Sequence, residues 1–163
     1  MRIVLGLDPG LAETGYGLVS VSGSRFAHVE HGVIRTKAGL ETGKRLEIIF
    51  DELTRIIDRF HPGEAGMESL FFARNATSAI PVAQARGAIL LALAKRGVPC
   101  TDYPPQAIKL AIVGAGRAEK SQVQQLVRVL LGLDEIPSPD HAADALAAAI
   151  CHANTSGVLR RVK

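Results

Sequence analysis

The first 22 residues constrain the fold more than any other stretch. Met1-Arg-Ile-Val-Leu-Gly-Leu-Asp8 is a short apolar run that ends in a carboxylate. A run apolar at almost every position is the mark of a strand covered on both faces, so it belongs inside a sheet. Pro9-Gly10 breaks the run, and Thr14-Gly-Tyr-Gly-Leu-Val-Ser-Val-Ser22 resumes an extended pattern, which predicts a hairpin. After a turn at Ser22-Gly-Ser24, the segment Arg25–Thr36 alternates well enough to add a third strand, giving an antiparallel meander. Asp8 then stands at the end of a central strand. An Asp before Pro-Gly is also an ordinary opener of turns, so Asp8 gains meaning only from the company that later residues provide.

The rest of the chain alternates helices and strands. Leu46, Ile49, Phe50, Leu53, Ile56, Ile57 and Phe60 recur at helical spacing, with charged residues filling the other face, and His61-Pro62-Gly63 ends the pattern. Glu64–Ser69 is a short fourth strand that closes on Glu68, and Leu70–Asn75 follows as a loop. A second helix runs from about Asn75 or Thr77 to Arg96. Its many small residues, Ala79 to Ala94, allow close approach of either the domain's own sheet or the same helix of a second subunit. Val98–Tyr103 reads as the last strand, and Pro104-Pro105 opens a segment that contains Ala107–Val113. Ala118–Leu131 forms another helix, and a final helix starts near Pro139, with Ser138 as its cap and Pro139 as its first residue. The tail Ser156–Lys163 is polar, basic and expected to fray. The expected architecture is α/β: a mixed five-stranded sheet, its first three strands antiparallel and its first strand central, flanked by helices. Residues 1–155 form one domain and 156–163 a flexible tail.

Composition limits the function classes. The 163 residues include 47% hydrophobic side chains, which excludes a disordered chain and suffices for a core without disulfide or metal staples. The apolar runs read as too short to cross a bilayer, and Asp8 comes too early for a signal peptide. Cys100 and Cys151 match no metal spacing and make no disulfide framework, so a reducing cytoplasm is the expected compartment. The net charge of +3 permits a nucleic-acid partner without demanding one.

Four polar residues carry the chemistry. Asp8 and Glu68 end strands that an α/β sheet can make neighbours. His141 and Asp144 lie three residues apart at the start of the last helix, hence on one face. Each has an ordinary reading: Asp144 as a helix-dipole partner, Glu68 as a solvated strand end, His141 as a surface residue. Brought together, three carboxylates repel one another and require a cation. Oxygen ligands in that number suit Mg²⁺ or Mn²⁺. Two such ions about 4 Å apart activate a water and stabilise the leaving oxygen of a phosphoryl displacement. Phe71 and Phe72 follow Glu68 in a chain poor in aromatics; one can be core while the other stacks on bases.

Five stretches, in this order, carry a specific resemblance: Leu5-Gly-Leu-Asp-Pro-Gly-Leu-Ala-Glu-Thr-Gly-Tyr-Gly17, Met67-Glu-Ser-Leu-Phe-Phe-Ala-Arg-Asn-Ala-Thr-Ser-Ala79, Gln84-Ala-Arg-Gly87, Val113-Gly-Ala-Gly-Arg-Ala-Glu-Lys-Ser-Gln-Val123 and His141-Ala-Ala-Asp-Ala-Leu146. Through them the chain resembles the RuvC family of bacterial Holliday-junction resolvases along nearly its whole length. The resemblance implies an RNase H-like fold and a homodimer that cuts four-way DNA junctions by paired nicks, leaving 5′-phosphate and 3′-hydroxyl ends. It implies that Asp8, Glu68, His141 and Asp144 are catalytic and bind two Mg²⁺ or Mn²⁺ ions per subunit. It further implies that Phe71, Lys109, Lys120 and Arg74 meet DNA, with Arg86 and Arg117 as further backbone contacts. Branch-migration proteins of the RuvA and RuvB type are the implied partners. Some family members carry Asp where this chain has His141. Three other readings compete. An ATP-binding protein of the sugar-kinase type shares the Asp-x-Gly turn but needs two such domains. An RNase H-like nuclease could act on a hybrid instead. A junction-binding module without catalysis would not need the acids.

Overall fold

The computed structural model describes residues 1–69 and 76–161. Five strands and five helices follow one another as β1 (Arg2–Asp8), β2 (Glu13–Ser22), β3 (Arg25–Arg35), α1 (Thr42–Phe60), β4 (Glu64–Glu68), α2 (Ala76–Lys95), β5 (Cys100–Tyr103), α3 (Pro105–Val113), α4 (Lys120–Leu131) and α5 (Asp140–Arg161). The sheet order is β3-β2-β1-β4-β5, so the apolar first run is the central strand. β1 is antiparallel to β2 and parallel to β4. The mixed α/β sheet is the expected one.

The sheet separates two apolar layers. Leu5, Leu7, Leu18 and Met67 face Ile49, Leu53 and Ile57 of α1 and Ala85, Ile89 and Leu93 of α2. Val4, Val19 and Val21 face the other layer, built from α3, α4 and the middle of α5. Alternation along each strand makes this division. α1 stops where His61 turns left-handed at φ 49° and Pro62 forbids continuation.

α5 is the helix of consequence. Ala142, Ala143 and every residue from Ala145 to Cys151 are buried. A helix apolar all round is one covered all round; α5 is pressed between the sheet and the α3–α4 pair. Glycines let it in. Gly17, Gly6 and Gly66 are register partners across β2, β1 and β4, a straight row of three. A Cβ on Gly6 would stand 1.8 Å from the carbonyl oxygen of Ala145, one on Gly17 2.7 Å from Leu146, and one on Gly66 2.6 Å from His152. The helix backbone therefore lies directly on the strand backbones. Its far end is secured by a polar chain: Tyr103 Oη to His152 Nδ1 at 2.9 Å, His152 Nε2 to Glu64 at 3.2 Å, and Glu64 to Arg2.

Three expectations shift. α4 begins at Lys120 rather than Ala118, because Glu119 and Gln122 form a reciprocal capping box there. α5 begins at Asp140: the Pro139 carbonyl accepts the Ala142 and Ala143 N–H groups, so Pro139 holds the cap position assigned to Ser138. The tail expected to fray from Ser156 is helical through Arg161, and Arg2 Nη1 donates to Ser156 Oγ at 2.8 Å. The bilayer argument also needs correcting. Thr77–Lys95 is long and apolar enough, by length and composition, to cross a membrane. In this fold it packs through Ala85, Ile89, Ala92 and Leu93, while its Arg86 pairs with Asp102 of β5.

Candidate active site and metal centre

Two residues beyond the glycine row, the same face of the sheet carries its acids. Asp8 lies opposite Gly15 on β2, and a Cβ on Gly15 would fall 1.9 Å from the carbonyl oxygen of His141. That close seat lowers the first turn of α5 onto the sheet, so the His141 ring reaches Asp8. Nδ1 of His141 is 2.8 Å from Asp8 Oδ2. On β4, Glu68 follows Met67, the register partner of Leu7, so it ends its strand level with Asp8. Asp8, Glu68, His141 and Asp144 line one groove with Pro9, Gly10 and Glu13. All four residues line this groove, and three of them, Asp8, His141 and Asp144, form one close group of ligand atoms that does not include Glu68.

Asp8, His141 and Asp144 each offer a ligand atom, and these atoms lie within 4.8 Å of one another. Burial raises the Glu68 pKa to about 8, helped by the charges of Asp8 and Asp144 and by a hydrogen bond to Asp8. Burial also raises the Asp144 carboxyl, against the opposing pull of Lys120. The metal-free cluster thus retains a proton that ordinary carboxylates release at neutral pH. Asp8, His141 and Asp144 are a group whose donor atoms could hold a divalent cation, with the Glu68 carboxyl in the same groove. The donors fit Mg²⁺ and, through the imidazole, Mn²⁺.

Positive charge stands at the rim. Lys120 Nζ lies 3.2 Å from Asp144 Oδ2 and 3.5 Å from Asp140 Oδ2. Burial opposes its charge, but Asp144 and Asp140 together hold the ammonium above its ordinary pKa. Lys109 and Lys120 line a cavity of about 200 Å³ that adjoins Glu68 and Asp144, with Pro105, Ile108, Val123 and Ala147 as its apolar wall. Phe71 and Arg74 lie outside the described residues.

One neighbour of the site went unread in the sequence. Glu13 opens β2, its Oε2 is 3.6 Å from His141 Nε2, and its Oε1 accepts from Arg35 Nε at 3.0 Å. Its signal was slight: an acid at the head of an otherwise apolar strand, paired across the ladder with a base.

The family model for crossover junction endodeoxyribonuclease RuvC matches residues 4–152. A crossover junction endodeoxyribonuclease RuvC of Treponema denticola is 54% identical over 95% of this chain and 87% of its own length. That of Heliobacterium modesticaldum is 52% identical over 98% of this chain and 99% of its own. Among solved structures, T. thermophilus RuvC in complex with a Holliday junction substrate superposes with a TM-score of 0.93 at 36% identity, covering 97% of this chain and 96% of the other. The yeast mitochondrial Holliday junction resolvase Ydc2, at 14% identity and a TM-score of 0.69, shares the fold. An acid-lined end of a mixed sheet, a glycine-seated helix and near-complete alignment with these relatives lead to one conclusion: the chain belongs to the RuvC family of crossover junction endodeoxyribonucleases.

Proposed function

We propose that this chain resolves four-way DNA junctions by hydrolysing two symmetric phosphodiester bonds, leaving 5′-phosphate and 3′-hydroxyl ends. The observation that carries the reading is the convergence of acids from β1, β4 and α5 at one groove beside two lysines. Asp8, Glu68, His141 and Asp144 hold two divalent ions, Mg²⁺ or Mn²⁺, in each subunit. The chemistry such ions would supply is activation of a water and charge stabilisation at the leaving oxygen. The chain's own groups do the rest. The rigid β1 and β4 ends fix two carboxylates, and α5 fixes the third acid and the imidazole. Lys120 and Lys109 attract the phosphate and neutralise its charge. Phe71 stacks on bases at the crossover, and Arg74 meets the backbone. The apolar cavity wall next to the lysines takes sugar or base edges.

The enzyme acts as a homodimer, because a junction with two-fold symmetry calls for two identical sites. The interface is the outer face of α2. There Ile80 is 58% and Leu91 56% exposed, with Gly87 and Ala83 open between them. Branch-migration proteins of the RuvA and RuvB type deliver the junction, and the work is done in the cytoplasm. Residues 1–155 form the nuclease domain, and 156–163 are its basic tail.

The test is cleavage of a synthetic four-way junction, a linear duplex and an RNA–DNA hybrid, with and without Mg²⁺ or Mn²⁺. The expected result is junction-selective, metal-dependent cutting, with Asp8→Asn keeping junction affinity and losing cutting by at least about 100-fold. Equal cutting of linear duplex or hybrid overturns the junction assignment.

A further inference from the structure

His141 shows its two ring nitrogens to two different carboxylates. Nδ1 faces Asp8 Oδ2 at 2.8 Å. Nε2 faces away, toward Glu13 Oε2 at 3.6 Å, within ion-pair reach and beyond hydrogen-bond distance. Glu13 is itself anchored: its other oxygen accepts from Arg35 Nε at 3.0 Å, and the two residues are register partners in the β2–β3 ladder. Glu13, like Glu68, stands outside the group of ligand atoms formed by Asp8, His141 and Asp144, but unlike Glu68 it lies on the far side of the imidazole from Asp8. It stands behind the imidazole, with both oxygens engaged.

We propose that Glu13 is a positioning residue for His141. It accepts the Nε2 proton, so that the Nδ1 lone pair is the one turned toward the cation, and Arg35 holds it in place. The inference rests on the reading of His141 as a metal ligand. A neutral imidazole has one N–H and one lone pair, and the partner of one nitrogen decides the state of the other. With no cation on the ring, the 2.8 Å contact with the Asp8 carboxylate is a hydrogen bond donated by Nδ1; a cation that takes the Nδ1 lone pair moves the proton to Nε2, where Glu13 is the acceptor at hand. The Nδ1–H form removes one donor from the cluster and occupies an Asp8 oxygen as well. A carboxylate at Nε2 supports the tautomer whose Nδ1 lone pair is open to the cation and fixes the ring's orientation. An aspartate at 141 would have no N–H to offer and would meet Glu13 as a like charge. The His141, Glu13 and Arg35 positions therefore work as one unit in this chain.

Calorimetric titration of the full chain with Mn²⁺ at neutral pH tests this, with circular dichroism melts to confirm folding. The set is the parent, Glu13→Ala, Glu13→Gln, His141→Ala and the Glu13→Ala/His141→Ala double variant. Glu13→Ala should weaken Mn²⁺ about 10- to 100-fold, the range for losing such an outer partner. Glu13→Gln, which keeps an acceptor oxygen, should retain more affinity than Glu13→Ala. In the His141→Ala background, removing Glu13 should change affinity by less than about twofold, since the imidazole it acts through is gone. If Glu13→Ala binds like the parent while His141→Ala is weakened, the positioning role is wrong and the metal reading survives. Equal losses from Glu13→Ala in both backgrounds would show that Glu13 acts on the cation directly, which also overturns the proposal. If His141→Ala itself binds Mn²⁺ like the parent, the ligand reading beneath the proposal falls instead.

Discussion

Glu68 shows what gathering acids costs a single residue. Its ordinary pKa of 4.5 is raised to about 8 by burial and by the neighbouring charges of Asp8 and Asp144. Between those values the folded, metal-free chain keeps a proton that the unfolded chain has lost. Stability therefore falls as pH rises through that window. Glu68→Gln removes the penalty. In EDTA, scanning calorimetry should find the variant melting higher than the parent by several degrees near pH 8 and equal to it near pH 4.5. No difference at the higher pH would refute the argument. His141 gives a second prediction at this scale: imidazole suits Mn²⁺ better than Mg²⁺. His141→Asp should stay active while its ratio of Mn²⁺- to Mg²⁺-supported cutting drops severalfold, and an unchanged ratio would dismiss the idea. Asp8 and Glu68 were legible in the sequence as carboxylates that end strands, and His141 and Asp144 as a pair on one helical face. Glu13 was not, because an acid opening a strand is commonplace and its meaning comes only from what α5 lays beside it.

Among the elements, the relation of α5 to the sheet decides the geometry of the site. A glycine inside a strand weakens it and marks close backbone approach. Gly6 sits under the Ala145 carbonyl with no room for a methyl group, the clash distance being 1.8 Å to backbone. Gly6→Ala must lift the helix, at a cost of about 3 kcal/mol, the upper part of the range for overpacking. Urea unfolding measures that loss. Cutting should fall further than stability explains, because the same helix carries His141 and Asp144. A variant with parental stability would show that the helix is free to move. The order of elements was readable from apolar spacing, but the glycine row was not. Gly6, Gly17 and Gly66 are far apart in the chain, and only the strand register brings them into line. Nor was the true start of α5 readable, since Ser138 satisfies the local capping rule that Pro139's carbonyl in fact takes over.

For the whole molecule, the two faces of the sheet have different duties. One holds the chemistry, and the other ends in α2, whose outer face leaves Ile80, Leu90 and Leu91 exposed. Small residues along this helix could have been explained by packing within the domain alone, and the inner positions Ala85 and Ala92 are indeed buried in the layer α2 shares with α1. The outer ones are exposed, and the proposed dimer would bury them. Leu91→Lys should therefore shift the protein from dimer toward monomer in analytical ultracentrifugation, weakening association by about tenfold or more. Each monomer should keep its fold, and junctions should then be nicked on one strand rather than two. A Leu91→Lys protein that sediments as the parent does would move the interface elsewhere.

The glycine row also has a meaning for folding fidelity. If the first hairpin slipped by one residue, Gly15 and Gly17 would rotate away from α5, and Tyr16 and Leu18 would point at it instead. The helix would then have nowhere to land, and its alanine-rich sides would stay in water. A mispaired copy would keep Asp8 and Glu68 side by side on β1 and β4, but His141 and Asp144 would not be lowered onto them. One slip of register thus removes the helix's landing and splits the four groove residues into two separated pairs.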